Sequence, residues 1–138
     1  MINYIQNPAI TPAELAEVFR ASGIRRPVDD LPRLERMLRH ANLTVGAYDG
    51  ARLVGVARAL TDFSFCCYLS DLAVAREYQK RGIGQELIAR VREAITPQSM
   101  LLLLAAPEAR DYYPHIGFEA VPNGWIIQRP SDPRPVAR

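Results

Sequence analysis

One stretch of the sequence, residues 68–84, combines the features of a phosphate-binding site. It reads as a buried strand, then a turn rich in basic residues, then Gly82 and Gly84 at the start of a helix. The first turn of a helix has backbone N–H groups without intrahelical acceptors, and the helix dipole adds partial positive charge there. Glycine lets a phosphate approach these groups closely, so the pattern favours a pyrophosphate site. A tight turn before the helix would need the same glycines, and this alternative stays open.

Sequence signals on either side of this stretch predict the elements that position it. Thr11 and Glu14 form a capping box at the start of a first helix, and Asp30 is predicted to cap a second helix. Apolar residues then follow the period of strands between residues 43 and 74, where we predict three of them. Helical spacing returns over residues 82–95 and predicts a well-packed helix directly after the glycines.

After residue 95 the sequence predicts several shorter elements. Residues 99–105 are apolar without alternation, which is typical of a central strand covered on both faces. After it we predict a short helix over residues 107–113 and strands over residues 118–121 and 125–128. With a strand at the very start, residues 1–129 are predicted to form a single mixed α/β domain, followed by a proline-rich tail over residues 130–138.

Composition excludes several classes of protein. The chain has 138 residues, of which 49% are hydrophobic and 23% charged, as in an ordinary globular domain. A net charge of +2 is too small to favour nucleic acid, and the longest apolar run is far shorter than the ~20 residues of a membrane helix. Cys66 and Cys67 are adjacent, so they suit neither a disulfide nor a metal site. We therefore expect a cytoplasmic protein that binds no nucleic acid, membrane or metal.

Two motifs give the sequence a family resemblance. Residues 79–84 read Gln-Lys-Arg-Gly-Ile-Gly and match Gln/Arg-x-x-Gly-x-Gly/Ala, the acyl-CoA signature of the GNAT superfamily of N-acyltransferases. Residues 109–118 resemble the second signature of that superfamily, Ala-x-x-Phe-Tyr-x-x-x-Gly-Phe. The predicted order of elements is also similar to the family's over residues 1–128. The chain is therefore identified, by resemblance, as a GNAT-type protein.

The resemblance implies a fold, an activity and a cofactor site. The implied fold is a mostly antiparallel sheet of about seven strands flanked by four helices, with the fourth and fifth strands splayed to admit CoA. The implied activity is direct transfer of an acetyl group from acetyl-CoA to a primary amine of a small molecule or protein, within a ternary complex. Backbone N–H groups of residues 81–85 would hold the pyrophosphate, and Leu72 and Val74 would bind the pantetheine arm. The implied cofactor-binding residues are Leu72, Ala73, Val74, Gln79, Lys80, Arg81, Gly82, Ile83, Gly84 and Gln85.

The same resemblance suggests residues for the chemistry. Tyr113 occupies the position of the family's tyrosine and would act as the general acid that protonates the leaving thiolate. Asp71 could accept a proton from the acceptor ammonium through water, or could point away from the cleft on the other face of its strand. Arg25 and Arg26 lie in the loop that borders the acceptor site in this family, where they could contact an acidic substrate or remain solvated.

Two further expectations concern function and assembly. A catalytically silent CoA-binding regulatory module would keep the same motifs, and it is the alternative to an enzyme. An exposed final hairpin would also suit a homodimer. Nothing in the sequence identifies the acceptor amine.

Overall fold

The computed structural model of the chain describes residues 1–130. No helix among these residues is long and apolar enough to cross a membrane. The regular elements, in chain order, are β1 (Ile2–Gln6), α1 (Pro12–Ser22), α2 (Leu31–His40), β2 (Leu43–Asp49), β3 (Arg52–Thr61), β4 (Cys66–Val74), α3 (Ile83–Ile95) and β5 (Met100–Leu102). The chain forms two compact units, and residues 1–103, the first unit, contain all of these elements.

The sheet is mixed and mostly antiparallel, as predicted, with the order β1-β2-β3-β4-β5. Strands β1 to β4 pair in antiparallel fashion, whereas β4 and β5 run parallel. The parallel pairing is short, because it ends where Tyr68 meets Leu102. Beyond Tyr68, β4 continues to Val74 and pairs only with β3. The pairing of β4 with β5 therefore stops after three residue pairs, where β5 ends, as the splayed arrangement implied by the family resemblance requires.

Helices cover both faces of the sheet. Phe19 of α1 and Leu34 of α2 are fully buried in one cluster with Val56 of β3. Gly55, which precedes Val56 in β3, faces α3. A Cβ atom placed on Gly55 would lie 3.3 Å from the Ile83 side chain. Because neighbouring residues of a strand point to opposite faces, α1 and α2 pack on one side of the sheet and α3 on the other.

The predicted helix starts are confirmed. The Thr11 hydroxyl accepts a hydrogen bond from the Glu14 N–H at 3.1 Å, and the Glu14 carboxylate accepts one from the Thr11 N–H at 2.9 Å. The Asp30 carboxylate accepts from the Arg33 N–H at 3.1 Å and so caps α2. Gly23 ends α1 with φ +83°, a conformation that favours glycine.

The predictions for the end of the chain were wrong in several details. Over residues 1–130 the sheet has five strands instead of seven, and there are three α-helices instead of four. The predicted helix over residues 107–113 is replaced by separate 3-10 turns at Pro107–Ala109 and Tyr113–Ile116. Pro114, directly after the segment, has no N–H to continue the hydrogen-bond pattern, and seven residues are too few to form a stable α-helix without strong packing. The tail predicted for residues 130–138 lies outside the described residues, except for Pro130.

The strands predicted over residues 118–121 and 125–128 are absent from the described residues. Most of their side chains are exposed, with Trp125 at 96% and Ile127 at 98% of full accessibility, whereas Phe118 and Gln128 are partly buried. Strand β5 is also shorter than predicted and is not covered on both faces, since Met100 is exposed. An alternating apolar pattern indicates which face a strand would bury, but it forms a strand only where a partner strand supplies the hydrogen bonds.

Candidate functional site

The free edge of β4 presents backbone hydrogen-bonding groups in a row. The Ala75 N–H donates to the Val54 oxygen at 2.8 Å, which fixes which residues of β4 are bonded to β3. Since bonded and non-bonded pairs alternate in an antiparallel ladder, Ala73 is also bonded to β3. Leu72 and Val74 therefore direct their N–H and C=O groups away from β3, along the edge that β5 has left.

A β-bulge marks the inner end of this edge. Arg58 of β3 is paired with Asp71, and the next residue, Ala59, is paired with Leu69, so Ser70 has no partner across the ladder. In a trans peptide the carbonyl and the following N–H point in opposite directions. Because Asp71 is paired toward β3, the Ser70 carbonyl is directed to the free edge. Bulges of this kind commonly lie next to active sites, where they re-aim backbone groups.

The turn that follows β4 is tied back to the strand. The side-chain amide of Gln79 donates to the Val74 carbonyl oxygen at 2.8 Å. The chain then passes through Lys80 with φ +65° and Gly82 with φ +82°. The Val74 carbonyl is thereby engaged, and the N–H groups of Leu72 and Val74 remain as donors along the edge.

Helix α3 begins at the end of this turn without a side-chain cap from the described residues. Its first intrahelical bond runs from the Glu86 N–H to the Gly82 oxygen, so the N–H groups before Glu86 have no acceptor within the helix. A Cβ at Gly82 would meet no atom within 4 Å, and one at Gly84 would meet only Val74 Cγ2 at 4.0 Å. The space over the helix start is therefore open, and its donors suit an anion such as a pyrophosphate.

Basic side chains lie around the open helix start. Lys80 and Arg81 are exposed, and the Arg81 guanidinium lies 5.0 Å from the centre of the Tyr78 ring. The Tyr78 hydroxyl donates to the Asp49 carboxylate, and this hydrogen bond raises the pKa of the phenol. Tyr78 thus links the turn to the β2–β3 hairpin, and the face of its ring contacts the Arg81 guanidinium. Ile83 is buried against the sheet and Gln85 is exposed.

Arg76, the other basic residue of the turn between β4 and Lys80, lies away from the start of α3. A Cβ at Gly23 would lie 2.2 Å from Arg76 Nη2, so the guanidinium packs directly against the glycine that ends α1. The C-terminal end of a helix carries partial negative charge, which favours a cation there. Arg76 therefore stabilises the C-terminal end of α1, on the face of the sheet opposite to α3.

Asp71 lies on the face covered by α1 and α2, and its side chain is 0% exposed. One carboxylate oxygen accepts from Arg26 Nε at 2.5 Å, and the other accepts from Arg58 Nε. Arg26 also donates to the Ser70 carbonyl at 2.8 Å, while Arg58 donates to the Ser70 hydroxyl at 3.1 Å. Both arginines therefore hold the bulge, and the carboxylate has no free oxygen directed at the β4 edge. Asp71 as the general base stays a prediction that this geometry does not favour.

Tyr113 belongs to the second unit, which begins at Leu104. It starts the 3-10 turn Tyr113–Ile116, and its ring makes edge-on contacts with Tyr112 and Phe118, each with centroids 5.4 Å apart. Burial raises the pKa of the Tyr113 phenol. The hydroxyl therefore stays protonated at neutral pH, which a general acid requires.

Comparison with known proteins identifies the family of the chain. A family model for the acetyltransferase (GNAT) domain matches residues 15–125, which is most of the chain. The chain belongs to the GNAT acetyltransferase family. Among curated relatives of this GNAT chain, GCN5-related N-acetyltransferase 2, chloroplastic, of Arabidopsis thaliana is 35% identical over 75 residues. That match covers 53% of this chain and 29% of the relative, and the first four curated relatives are matched over only 29% to 41% of their length.

Solved structures share the fold of this GNAT chain. The crystal structure of protein SA2161 from meticillin-resistant Staphylococcus aureus has a TM-score of 0.78 and 23% identity, with 94% of this chain and 100% of that chain covered. Aminoglycoside N-acetyltransferase AAC(6')-Iy, solved in complex with CoA, has a TM-score of 0.69 and 15% identity over 94% of this chain and 95% of its own. At these identities the likeness shows the fold alone.

The ion pairs of Arg58 and Arg26 with Asp71 were not predicted from the sequence of this GNAT chain. A signal for Arg58 was present, because it stands two residues after the core residue Val56 and so shares its buried face. A charged residue in that position requires a partner of opposite charge. No local pattern links Arg26 to the same cluster, since it lies 45 positions from Asp71 in the sequence.

Proposed function

We propose that this protein is an acetyl-CoA-dependent N-acetyltransferase that acts on a primary amine by direct attack in a ternary complex. The observation that carries the proposal is the continuity between the free edge of β4 and the uncapped start of α3. An extended ligand with a diphosphate would find hydrogen-bond donors for the diphosphate at the helix start and for its extended arm at Leu72 and Val74. When bound, acetyl-CoA supplies the acetyl group as a thioester.

The residues of the edge fit the parts of that ligand. The N–H groups of residues 81–85 and the Lys80 ammonium favour the pyrophosphate, because the helix start adds partial positive charge to its free donors. Leu72 and Val74 direct N–H groups toward the pantetheine arm. The Leu72 N–H, near the bulge at Ser70, is a fixed donor that can polarise the thioester oxygen. Ala73 is paired with β3 and buried, so its contribution is to space these two residues.

The acceptor must lose a proton to become a nucleophile. Both oxygens of the Asp71 carboxylate are bound by arginine, so we assign Asp71 to holding the bulge and not to proton transfer. The acceptor then reacts as the free amine, whose fraction increases with pH. The amine nitrogen forms a bond to the acyl carbon and the bond from that carbon to sulfur breaks. Tyr113 supplies a proton to the leaving sulfur, and the proton that the new amide nitrogen releases to water restores the phenol.

A panel of amines incubated with acetyl-CoA tests the proposal. Release of free thiol, together with the mass of the acetylated amine, identifies turnover and acceptor at once. Isothermal calorimetry with CoA alone measures cofactor binding separately. CoA binding without turnover of any amine would favour a catalytically silent regulatory module, and failure to bind CoA would overturn both functions.

A further inference from the structure

The guanidinium of Arg26 lies at the inner end of the free β4 edge. It donates to the Ser70 carbonyl at 2.8 Å, and that carbonyl is directed away from β3, at the part of β4 that pairs with no second strand among the described residues. A pantetheine arm that starts at α3 and follows Val74 and Leu72 ends at Ser70. If the proposed function is correct, Arg26 therefore lies beside the acyl group and the incoming amine.

Three nitrogens of Arg26 each donate one hydrogen bond to the protein. Nε donates to Asp71 at 2.5 Å, Nη1 donates to the Arg25 carbonyl at 2.7 Å and Nη2 donates to the Ser70 carbonyl at 2.8 Å. A guanidinium has about five N–H donors in a rigid plane, so one N–H remains on each of the two terminal nitrogens. These two N–H groups lie on the two terminal nitrogens of one plane, so together they can bind the two oxygens of a carboxylate.

The charge around Arg26 also favours an anion. Arg26 and Arg58 share the single carboxylate of Asp71, and no other ion pair of either arginine occurs within the described part of the chain. The side chains of Arg26 and Arg58 are 14% and 9% exposed, so one positive charge in excess is held largely away from water. Such a charge is costly unless a counter-ion accompanies it.

We infer that Arg26 binds a carboxylate of the acceptor, and that the acceptors are amines that carry a carboxylate close to the amino group. This inference rests on the proposed function, because it places the carboxylate relative to the acyl group. An amine with a nearby carboxylate brings its nitrogen to the acyl carbon when the carboxylate binds Arg26. A polycationic acceptor would instead place a second positive charge beside this excess charge.

Matched acceptors test the inference on the full chain. Phenylalanine, phenylalanine amide and phenethylamine differ only in the carboxylate, and their kcat/KM values are compared at equal concentrations of free amine. We expect phenylalanine to exceed the other two by at least about tenfold, because hydrogen bonds between charged groups are the strong ones. The same comparison with alanine and glutamate and their amides removes the influence of the side chain.

Variants of the loop locate the effect. In Arg26→Met, Asp71 keeps Arg58 as a partner, so the charges of the buried cluster stay balanced, and we expect the preference for the carboxylate to disappear. Arg26→Lys keeps the charge and should restore part of the preference. Arg25→Gln is the matched control, since Arg25 is exposed and contributes only its main-chain oxygen to Arg26. It should keep the full preference.

The outcomes separate the two proposals. Turnover of all three phenylalanine-type amines at similar kcat/KM would overturn the inference and leave the acetyltransferase function intact. A preference that survives in Arg26→Met would also overturn it. Failure of every amine to react, with CoA bound, would overturn the acetyltransferase function and with it this inference. The ratio of the wild-type kcat/KM values for phenylalanine and phenylalanine amide decides the question even if a variant does not fold.

Discussion

The side-chain amide of Gln79 donates a hydrogen bond to the main-chain oxygen of Val74 at 2.8 Å. This bond connects the last residue of β4 to the turn that leads into α3. It also occupies the one carbonyl that Val74 directs away from β3. Together with the packing of α3 on the sheet, this bond helps to fix the two ends of the candidate cofactor site, one on a strand and one on a helix, relative to each other.

Replacing Gln79 by glutamate is predicted to weaken CoA binding. A carboxylate cannot donate to the Val74 oxygen, and its charge would repel both that oxygen and the pyrophosphate. We expect the Kd for CoA to rise by about tenfold, which is the effect of one lost hydrogen bond of ordinary strength. Calorimetry measures the change. Gln79→Arg is the control, because arginine is the other residue of the family signature and retains a donor. Equal CoA affinity in the wild type and in Gln79→Glu would show that this hydrogen bond is not needed.

Gly84→Glu is predicted to abolish CoA binding without loss of stability. The position has room for a Cβ, with only Val74 Cγ2 at 4.0 Å, and its φ is not in the left-handed region. An acidic residue in the first turn of α3 interacts favourably with the helix dipole, by about 0.3–1 kcal/mol. The same charge would repel a pyrophosphate from the open N–H groups. Thermal unfolding should therefore show an unchanged or higher Tm, while calorimetry shows no binding.

The matched control for Gly84→Glu is Gly84→Ala. The family signature allows alanine here, and a methyl group fits the open space, so CoA affinity should stay close to that of the wild type. Gly82 is a less informative position, because its φ of +82° would strain any other residue whatever the ligand needs. Normal CoA affinity in Gly84→Glu would contradict the assignment of the pyrophosphate to this helix start.

Local signals in the sequence were sufficient for the parts of the fold that depend on local contacts. The capping box at Thr11, the cap at Asp30 and the turn at Gly82 each involve residues within a few positions of one another. Their hydrogen bonds follow from residue type and spacing alone. The separation of β4 and β5 was expected only through the family resemblance, because it depends on how two distant strands meet.

The features that sequence reasoning missed depend on distant partners. Whether residues 118–121 and 125–128 form strands is decided by a neighbouring strand and not by their own apolar pattern. The role of Asp71 is decided by Arg26 and Arg58, which are 45 and 13 positions away. Alternation along β4 correctly placed Asp71 on the face opposite to Leu72, but it could not indicate which side chains lay there.

Asp71→Asn is predicted to destabilise the protein strongly. The amide would leave two buried guanidinium groups without a counter-charge, and breaking a buried ion pair in this way lowers the free energy of unfolding by about 3–5 kcal/mol. Chemical denaturation of the wild type, Asp71→Asn and Arg26→Met measures the free energy of unfolding of each. The decrease should be smaller in Arg26→Met than in Asp71→Asn, because Arg58 and Asp71 remain paired. A stable Asp71→Asn that folds normally but has lost its activity would instead favour the general-base role.

Tyr113→Phe is predicted to lower kcat by at least about tenfold, since general acid catalysis typically contributes ~10²–10⁴-fold. Phenylalanine keeps the edge-on contacts with Tyr112 and Phe118 and removes only the proton. The affinity for acetyl-CoA should change little, so the effect separates kcat from binding. Tyr112→Phe is the control, because Tyr112 is exposed and packs against the same ring. It should keep the wild-type kcat.

The pH dependence of Tyr113→Phe provides the sharper test. Burial raises the pKa of the Tyr113 phenol above its ordinary value of ~10, so the wild type keeps its proton donor throughout the neutral and mildly alkaline range. The free thiol has a pKa of about 8.5, but its sulfur carries no proton while it is bonded to the acyl carbon, so this pKa does not change the need for an acid. The ratio of wild-type to Tyr113→Phe kcat should therefore stay constant from neutral pH up to the raised pKa of Tyr113 and decrease only above it, where the phenol has lost its proton. A ratio close to one at neutral pH would assign Tyr113 to packing and the proton to water.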